Sequence, residues 1–280
     1  MIVGCRSDVE DVLRAAIALK RDPSITLVWG KDDGEIDAKL RQYRGDLKLK
    51  ASDLVPHVPA ATKLKLRERP PRVCSRSLPS LHGYVAFSLR HRRCVPGELV
   101  RLFARYYPDI GQVLARKDEL SLKYFHLHME VLRENERLKA HTRPQPAGGL
   151  MYVEIRPEHD VVDLYLEWMA RRVSDRASIV KAHGTYYLVN AHYLGYKGCT
   201  KEISPEEVRR LIGDLPDEDH SRWEMYYDSQ LIESRRNKAL AKKMLPAKYA
   251  YISPDVQLER YKIEHGIPKH DLDDFFRKID

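Results

Sequence analysis

Hydrophobic and polar positions along the chain follow two alternating periods, and their order predicts an α+β fold. Residues 1–30 predict a strand, a helix and a strand, in the stretches IVGC, DVEDVLRAAIALK and ITLVWG. From 81 to 143 the apolar spacing is helical, and it ends in one long helix from about Asp118 to His141. From 150 to 189 the pattern predicts a strand, a helix and then a hairpin that turns at His183-Gly184.

The C-terminal part of the sequence predicts further helices. Ser204-Pro205-Glu206-Glu207 has the residues of a capping box at the start of a short helix. A long helix is expected from about Asp219 to Pro246, and one or two short helices follow. We therefore expect a helix-rich α+β fold with a small antiparallel sheet and a long basic C-terminal helix. The predicted parts are an N-terminal α/β segment with a proline-rich basic arm (1–80), a main domain (81–254) and a helical tail (255–280).

One polar residue interrupts the apolar stripe of the long central helix. The stripe consists of Leu120, Tyr124, Leu127, Val131 and Leu138. Glu134 occupies the position that this stripe skips, and a buried carboxylate is costly unless it is paired. Arg137 can reach it along the helix, and His141 lies one further turn on. Two interpretations stay open, a buried structural salt bridge and a functional carboxylate with a tuned pKa.

Charge is strongly segregated along a chain whose formal net charge is only +8. Residues 62–106 hold eleven basic and two acidic side chains, 202–233 hold three basic and ten acidic, and 231–249 hold six basic and one acidic. Such segregation favours a nucleic-acid partner, although the blocks could instead pair with one another. The cations expected to contact phosphates are Arg90, Arg92, Arg93, Arg235, Arg236, Lys238, Lys242, Lys243 and Lys248.

Composition removes several classes of protein. No apolar run approaches the ~18 residues of a membrane span, and the start lacks the pattern of a signal peptide, so a cytoplasmic protein with reduced thiols is expected. The four cysteines form no CxxC pair, and three arginines surround His91 and Cys94, so no metal is expected. Nucleotide-loop and hydrolase motifs are missing, so no cofactor is expected either. Three Asn and five Gln beside 49 Lys and Arg fit a thermophile's protein.

Four stretches resemble, in this order, a single protein family. They are RENERLKAHTRP, LMYVEIRPEHDVVDLYLEWMARR, SIVKAHGTYYLV and RWEMYYDSQLIESRRNKALAKKMLPAKYAYI. The last resembles the family's closing signature through Trp223, Tyr226, Tyr227, Ile232, Arg235, Asn237, Leu240, Pro246, Lys248 and Tyr249. The family is the group of "probable DNA metabolism proteins", built around a domain of unknown function, and the resemblance covers about residues 81–254. Arg143-Pro144, Ala250 and Asp255 depart from its pattern.

The resemblance implies a setting in DNA repair or modification without a settled reaction. Some members are fused to a domain similar to uracil-DNA glycosylase, and many are encoded beside a radical-SAM protein, which is therefore a candidate partner. Three hypotheses follow: a DNA-binding protein, a glycosylase- or nuclease-like enzyme, and an interaction subunit that does not bind DNA. For the enzyme, the candidate catalytic residues are Glu134, Arg137, His159 and His183.

Overall fold

The computed structural model describes residues 1–44, 47–60, 62–63, 80–213, 239–240, 243, 247–252 and 254–265. The chain divides into two compact units, Met1–Arg133 and Glu134–Asp280. The boundary falls inside one long helix, Glu119–His141. Each unit is described by itself.

The first unit begins with a small parallel sheet. Its elements are β1 (Ile2–Arg6), α1 (Val9–Arg21), β2 (Thr26–Gly30), α2 (Asp33–Arg41) and β3 (Lys48–Lys50). The strand order is β2-β1-β3, and β1 pairs in parallel with both neighbours. Gly4 lets α2 lie close to β1, because a Cβ there would be 2.3 Å from Cγ2 of Ile36. The predicted strand, helix and strand at the start are thus confirmed.

Helices form the rest of the first unit. They are α3 (Ala51–Leu54), α4 (Leu81–Leu89), α5 (Pro96–Tyr106), a 3-10 helix (Ile110–Ala115) and the first part of α6 (Glu119–His141). Their core holds fully buried side chains such as Leu81, Leu99, Phe103 and Tyr124. The helix expected from Leu81 onward ends at Leu89, and a turn leads from there to Pro96, the first residue of α5. The long helix predicted from the stripe is confirmed to within a residue of its expected start.

The second unit contains a five-stranded sheet. Its elements are the end of α6, β4 (Gln145–Ala147), β5 (Leu150–Ile155), α7 (Val162–Arg172), β6 (Ser178–Ala182), β7 (Thr185–Val189), a 3-10 helix (Ala191–Leu194), β8 (Thr200–Ile203), α8 (Pro205–Ile212), a 3-10 helix (Ala247–Ile252) and α9 (Pro254–His265). The strands lie in chain order. β5 and β6 are parallel, because α7 carries the chain back over the sheet, and the other pairs are antiparallel.

The helix-rich α+β class is confirmed, but the prediction of one small antiparallel sheet is wrong in detail. The described residues hold a parallel sheet of three strands and a mixed sheet of five. The alternation of apolar and polar side chains shows which face of a strand is buried. It does not show which strands pair with one another, so the parallel pairings could not be predicted from the sequence. The long basic C-terminal helix lies mostly outside the described residues.

Two local predictions in the second unit are confirmed by backbone geometry. His183 and Gly184 join β6 and β7 with φ angles of 50° and 83°, as a two-residue hairpin turn requires. Ser204 and Glu207 form both hydrogen bonds of the capping box at α8. Within the described residues, none of the helices combines the length and apolar character needed to cross a bilayer.

Candidate functional site

The carboxylate of Glu134 is buried and holds the turn between β5 and α7. Its side chain is 3% exposed. Oε1 accepts the backbone N–H of Glu158 at 3.0 Å, and Oε2 accepts that of His159 at 2.9 Å. Both oxygens therefore stabilise backbone donors that the turn itself leaves without partners. The contact holds the turn that precedes α7.

Lys248 provides the positive charge beside this carboxylate. Its Nζ donates to Glu158 Oε1 at 3.1 Å and lies 3.8 Å from Glu134 Oε1. Partial burial acts to lower the pKa of Lys248, but the hydrogen bond to Glu158 and the Glu134 charge outweigh it, so this pKa is raised. The sequence predicted Arg137 as the partner. Among the described residues, the cation within ion-pair distance of Glu134 is instead Lys248, which tertiary structure brings there.

Aromatic side chains surround these charges. Tyr249, which is 2% exposed, stacks on His141 with ring centroids 5.7 Å apart. The backbone N–H of Arg156 donates to the hydroxyl of Tyr251 at 2.6 Å, and burial raises the pKa of Tyr251 to about 12. The segment Ala247–Ile252 thus packs on the same turn that Glu134 holds.

We call Glu134, Glu158, His159, Lys248 and Tyr249 the Glu134 cluster. It unites three of the four stretches that carry the family resemblance: the end of the central helix, the turn after β5 and the Lys-Tyr of the closing signature. The sequence identified each stretch separately but did not predict that they contact one another, because long-range contacts leave no periodic signal. Their shared position explains these residue types as parts of one polar anchor.

The four candidate catalytic residues do not all meet in this cluster. His159 is 7% exposed and contacts Glu134 through its backbone. Arg137 is half-buried on α6. His183 is exposed at the hairpin turn, and among the described residues it is not one of the contacts of Glu134. The described geometry therefore explains Glu134 as a group that positions the backbone of the turn between β5 and α7.

The candidate phosphate-binding residues fall into two groups. Arg90, Arg92 and Arg93 lie between α4 and α5, with Arg92 and Arg93 exposed. Arg93 donates to Oε2 of Glu130 at 2.9 Å, and the same oxygen lies 2.9 Å from Nε2 of His91. Lys243 is exposed, and Lys248 belongs to the Glu134 cluster. The remaining candidates lie outside the described residues; they are Arg235, Arg236, Lys238 and Lys242. Trp223 and Asn237 of the closing signature also lie outside them.

The structure adds two arginines to the first group. Arg101 and Arg105 are both exposed on α5, four residues apart and therefore on one face of the helix. Arg105 lies 3.6 Å from Asp118. Oε2 of Glu98, on the same helix, accepts the ammonium group of Lys123 at 2.6 Å. The spacing of these arginines was visible in the sequence and could have placed them among the candidates.

A second polar cluster lies at the carboxyl edge of the parallel sheet, where open α/β sheets often bind ligands. A cavity of about 120 Å³ is lined there by Arg6, Asp11, Asp33 and Lys50. Arg6 pairs with Asp11 at 3.4 Å, and Lys50 pairs with Asp33 at 3.4 Å. These pairs account for the charges that line the cavity without any ligand.

Comparison with known proteins identifies the family of this chain. Neither the curated proteins nor the solved structures contain a match to this chain. A family model described as a domain of unknown function, DUF4130, matches residues 96–252. This range includes α5 to α8 and every member of the Glu134 cluster. It covers more than half of the chain, and the protein therefore belongs to the DUF4130 family.

Proposed function

We propose that this protein binds DNA in a repair or modification pathway, with arginines and lysines of its cation-rich segments on the phosphates. One observation carries the proposal. From Arg90 to Arg105 the chain has five arginines and a single acid, Glu98. The carboxylate of Glu98 accepts a hydrogen bond from Lys123, Arg93 pairs with Glu130, and Arg105 lies 3.6 Å from Asp118. The five arginines and Lys123 outnumber these three acids. Exposed cations against few acids favour a polyanionic partner.

The alternative, in which the acidic block neutralises the basic ones, has less support from the described residues. Glu207 is a member of the acidic block 202–233. Its Oε1 lies 3.3 Å from Lys201 and 3.8 Å from Arg210. Glu207 thus pairs with cations of its own neighbourhood.

The resemblance supplies the setting of the proposal. It suggests that a radical-SAM partner performs the chemistry while this chain holds the DNA. The enzyme hypothesis is weaker, because the oxygens of Glu134 already accept two backbone N–H groups. It keeps its own test, since cleavage or base release that Glu134→Gln abolishes would bring it forward.

Fluorescence anisotropy tests the proposal directly. The purified chain would be titrated into single-stranded, duplex and uracil- or abasic-containing DNA at several salt concentrations. Two triple variants would be compared, Arg92→Ala/Arg101→Ala/Arg105→Ala and Arg235→Ala/Lys238→Ala/Lys242→Ala. If three phosphate contacts are lost on duplex DNA, the slope of log K against log salt becomes shallower by about 3.

A matched control removes three ion-paired cations that lie outside the cation-rich segments, with the same change in net charge. Lys39 pairs with Glu35, Arg171 with Glu167 and Arg210 with Glu207. Their triple alanine variant should keep the slope of the unmodified protein. Equal slopes for all three variants, or no binding by the unmodified protein at ~0.15 M salt, would refute the proposal and leave an interaction subunit as the better account.

A further inference from the structure

The loop between β7 and β8 in the second unit is rigidly built, although it carries no regular strand. Asn190 starts it in the left-handed region, with φ 54°, and is 5% exposed. Its amide Nδ2 donates to the carbonyl oxygens of Val173 at 2.7 Å and Ala170 at 3.0 Å, at the end of α7. The backbone N–H of Ala191 donates to the carbonyl of Cys199 at 3.0 Å and closes the loop.

This fixed loop presents an aromatic side chain to solvent. Tyr193 is 51% exposed, and Leu194 beside it is 37% exposed. The hydroxyl of Tyr193 donates to the carbonyl of Ser174 at 2.8 Å, which fixes the orientation of the ring. The ring of His192 lies 4.4 Å from it, centroid to centroid, at an angle of 37°. Exposed aromatic groups that are held in place are suited to binding, because little side-chain entropy remains to be lost.

The charges within this loop indicate the kind of partner. Residues 190–201 include Lys197 and Lys201 and contain no acid. Lys197 is exposed, whereas Nζ of Lys201 lies 4.0 Å from the ring centroid of Tyr196 and 3.3 Å from Oε1 of Glu207. An exposed aromatic ring in a loop that also carries the exposed Lys197 matches a strand whose bases are unpaired, where a base stacks on the ring and a phosphate meets the lysine. An acidic protein surface would not need the flat ring.

We propose that this loop, which we call the Tyr193 loop, is a stacking site for unpaired bases. This inference rests on the proposed function and deepens it, since it names the form of DNA that the protein would prefer. Duplex DNA keeps its bases stacked on one another, so the Tyr193 loop would discriminate in favour of single strands, gaps or displaced bases.

The test compares Tyr193→Ala, Tyr193→Leu and Tyr193→Phe on a 12-nucleotide single strand and on its duplex at one salt concentration. Loss of one stacked base should weaken single-strand binding about 5- to 150-fold in the Ala and Leu variants. Tyr193→Phe keeps the ring but loses the hydrogen bond to Ser174, so it should bind a single strand clearly more tightly than the Ala and Leu variants. Duplex affinity and the salt slope should change in none of them, because the phosphate contacts remain.

The outcomes separate this inference from the proposed function. If the unmodified protein binds DNA and all three variants bind a single strand as tightly as it does, the stacking site is wrong while DNA binding stands. Equal losses on single-stranded and duplex DNA would also overturn it. If the unmodified protein binds neither form, both proposals fail. Thermal unfolding of each variant guards against loss of structure, and Tyr193→Leu keeps most of the apolar bulk.

Discussion

The buried imidazole of His128 predicts a stability that declines in mild acid. His128 lies on α6 and is 0% exposed. Its ring stacks on Tyr84 at 5.8 Å and meets Phe87 edge-on at 5.6 Å. Neither ring nitrogen makes a hydrogen bond of normal geometry with the described residues. Burial lowers the pKa of His128 from 6.5 to about 4, although the Gly83 backbone acts in the opposite direction.

The size of the stability change follows from the difference between the pKa of His128 in the folded chain and in the unfolded chain. The unfolded chain takes up a proton on His128 near pH 6.5, whereas the folded chain does so only near pH 4. The contribution to stability is therefore full above about pH 6.5 and is lost as the pH falls toward 4. The total is about 3 kcal/mol, of which about 2 kcal/mol is already lost at pH 5.

Urea unfolding between pH 8 and pH 4.5 measures this term in the protein and in His128→Leu. We expect the free energy of unfolding of His128→Leu to fall less steeply with acid, by about 2 kcal/mol between pH 8 and pH 5. His126→Leu is the matched control, because His126 is exposed on the same helix. Parallel pH curves for the protein and His128→Leu would refute the reasoning.

Two further predictions concern the Glu134 cluster. Glu134→Ala should lower the free energy of unfolding by about 2–4 kcal/mol, because it leaves the backbone N–H groups of Glu158 and His159 without their carboxylate acceptor. Glu167→Ala, which breaks an exposed pair with Arg171, should cost less than about 1 kcal/mol in the same urea titration. A similar small cost for both would show that the anchor contributes nothing. Tyr249→Phe should be neutral or stabilising by about 1 kcal/mol, because its buried hydroxyl has no hydrogen-bond partner among the described residues. Tyr165→Phe removes a buried hydrogen bond to Thr142 at 2.8 Å and should instead destabilise the protein. Thermal unfolding compares the two variants, and a destabilised Tyr249→Phe would contradict the prediction.

Local sequence signals predicted the local structure well. The apolar stripe of α6 predicted a buried face, and Tyr124, Val131 and Leu138 are fully buried. The capping box at Ser204 and the turn at His183-Gly184 formed as expected, since each depends on residues within a few positions of one another. Periodicity and turn chemistry are short-range effects, and short-range effects can be seen in a single sequence.

The pairing of distant residues could not be predicted in the same way. Glu134 was recognised as a buried carboxylate, but its partner was sought along the helix at Arg137 and was found at Lys248. Likewise, nothing in the alternation of β5 showed that it would pair in parallel with β6. The missing information is tertiary, because many cations and many strands of similar composition could satisfy the same local requirement.

The contacts of the Glu134 cluster imply an order of events during synthesis on the ribosome. Glu134 and the backbone of His159 are separated by 25 residues, so they can meet soon after both have emerged. Lys248 follows Glu158 by 90 residues. At about 5–20 residues per second, the ammonium group arrives roughly 5–20 s later. Glu134 and Glu158 are therefore synthesised seconds before Lys248, and their charges can be neutralised by it only when the closing signature has been translated.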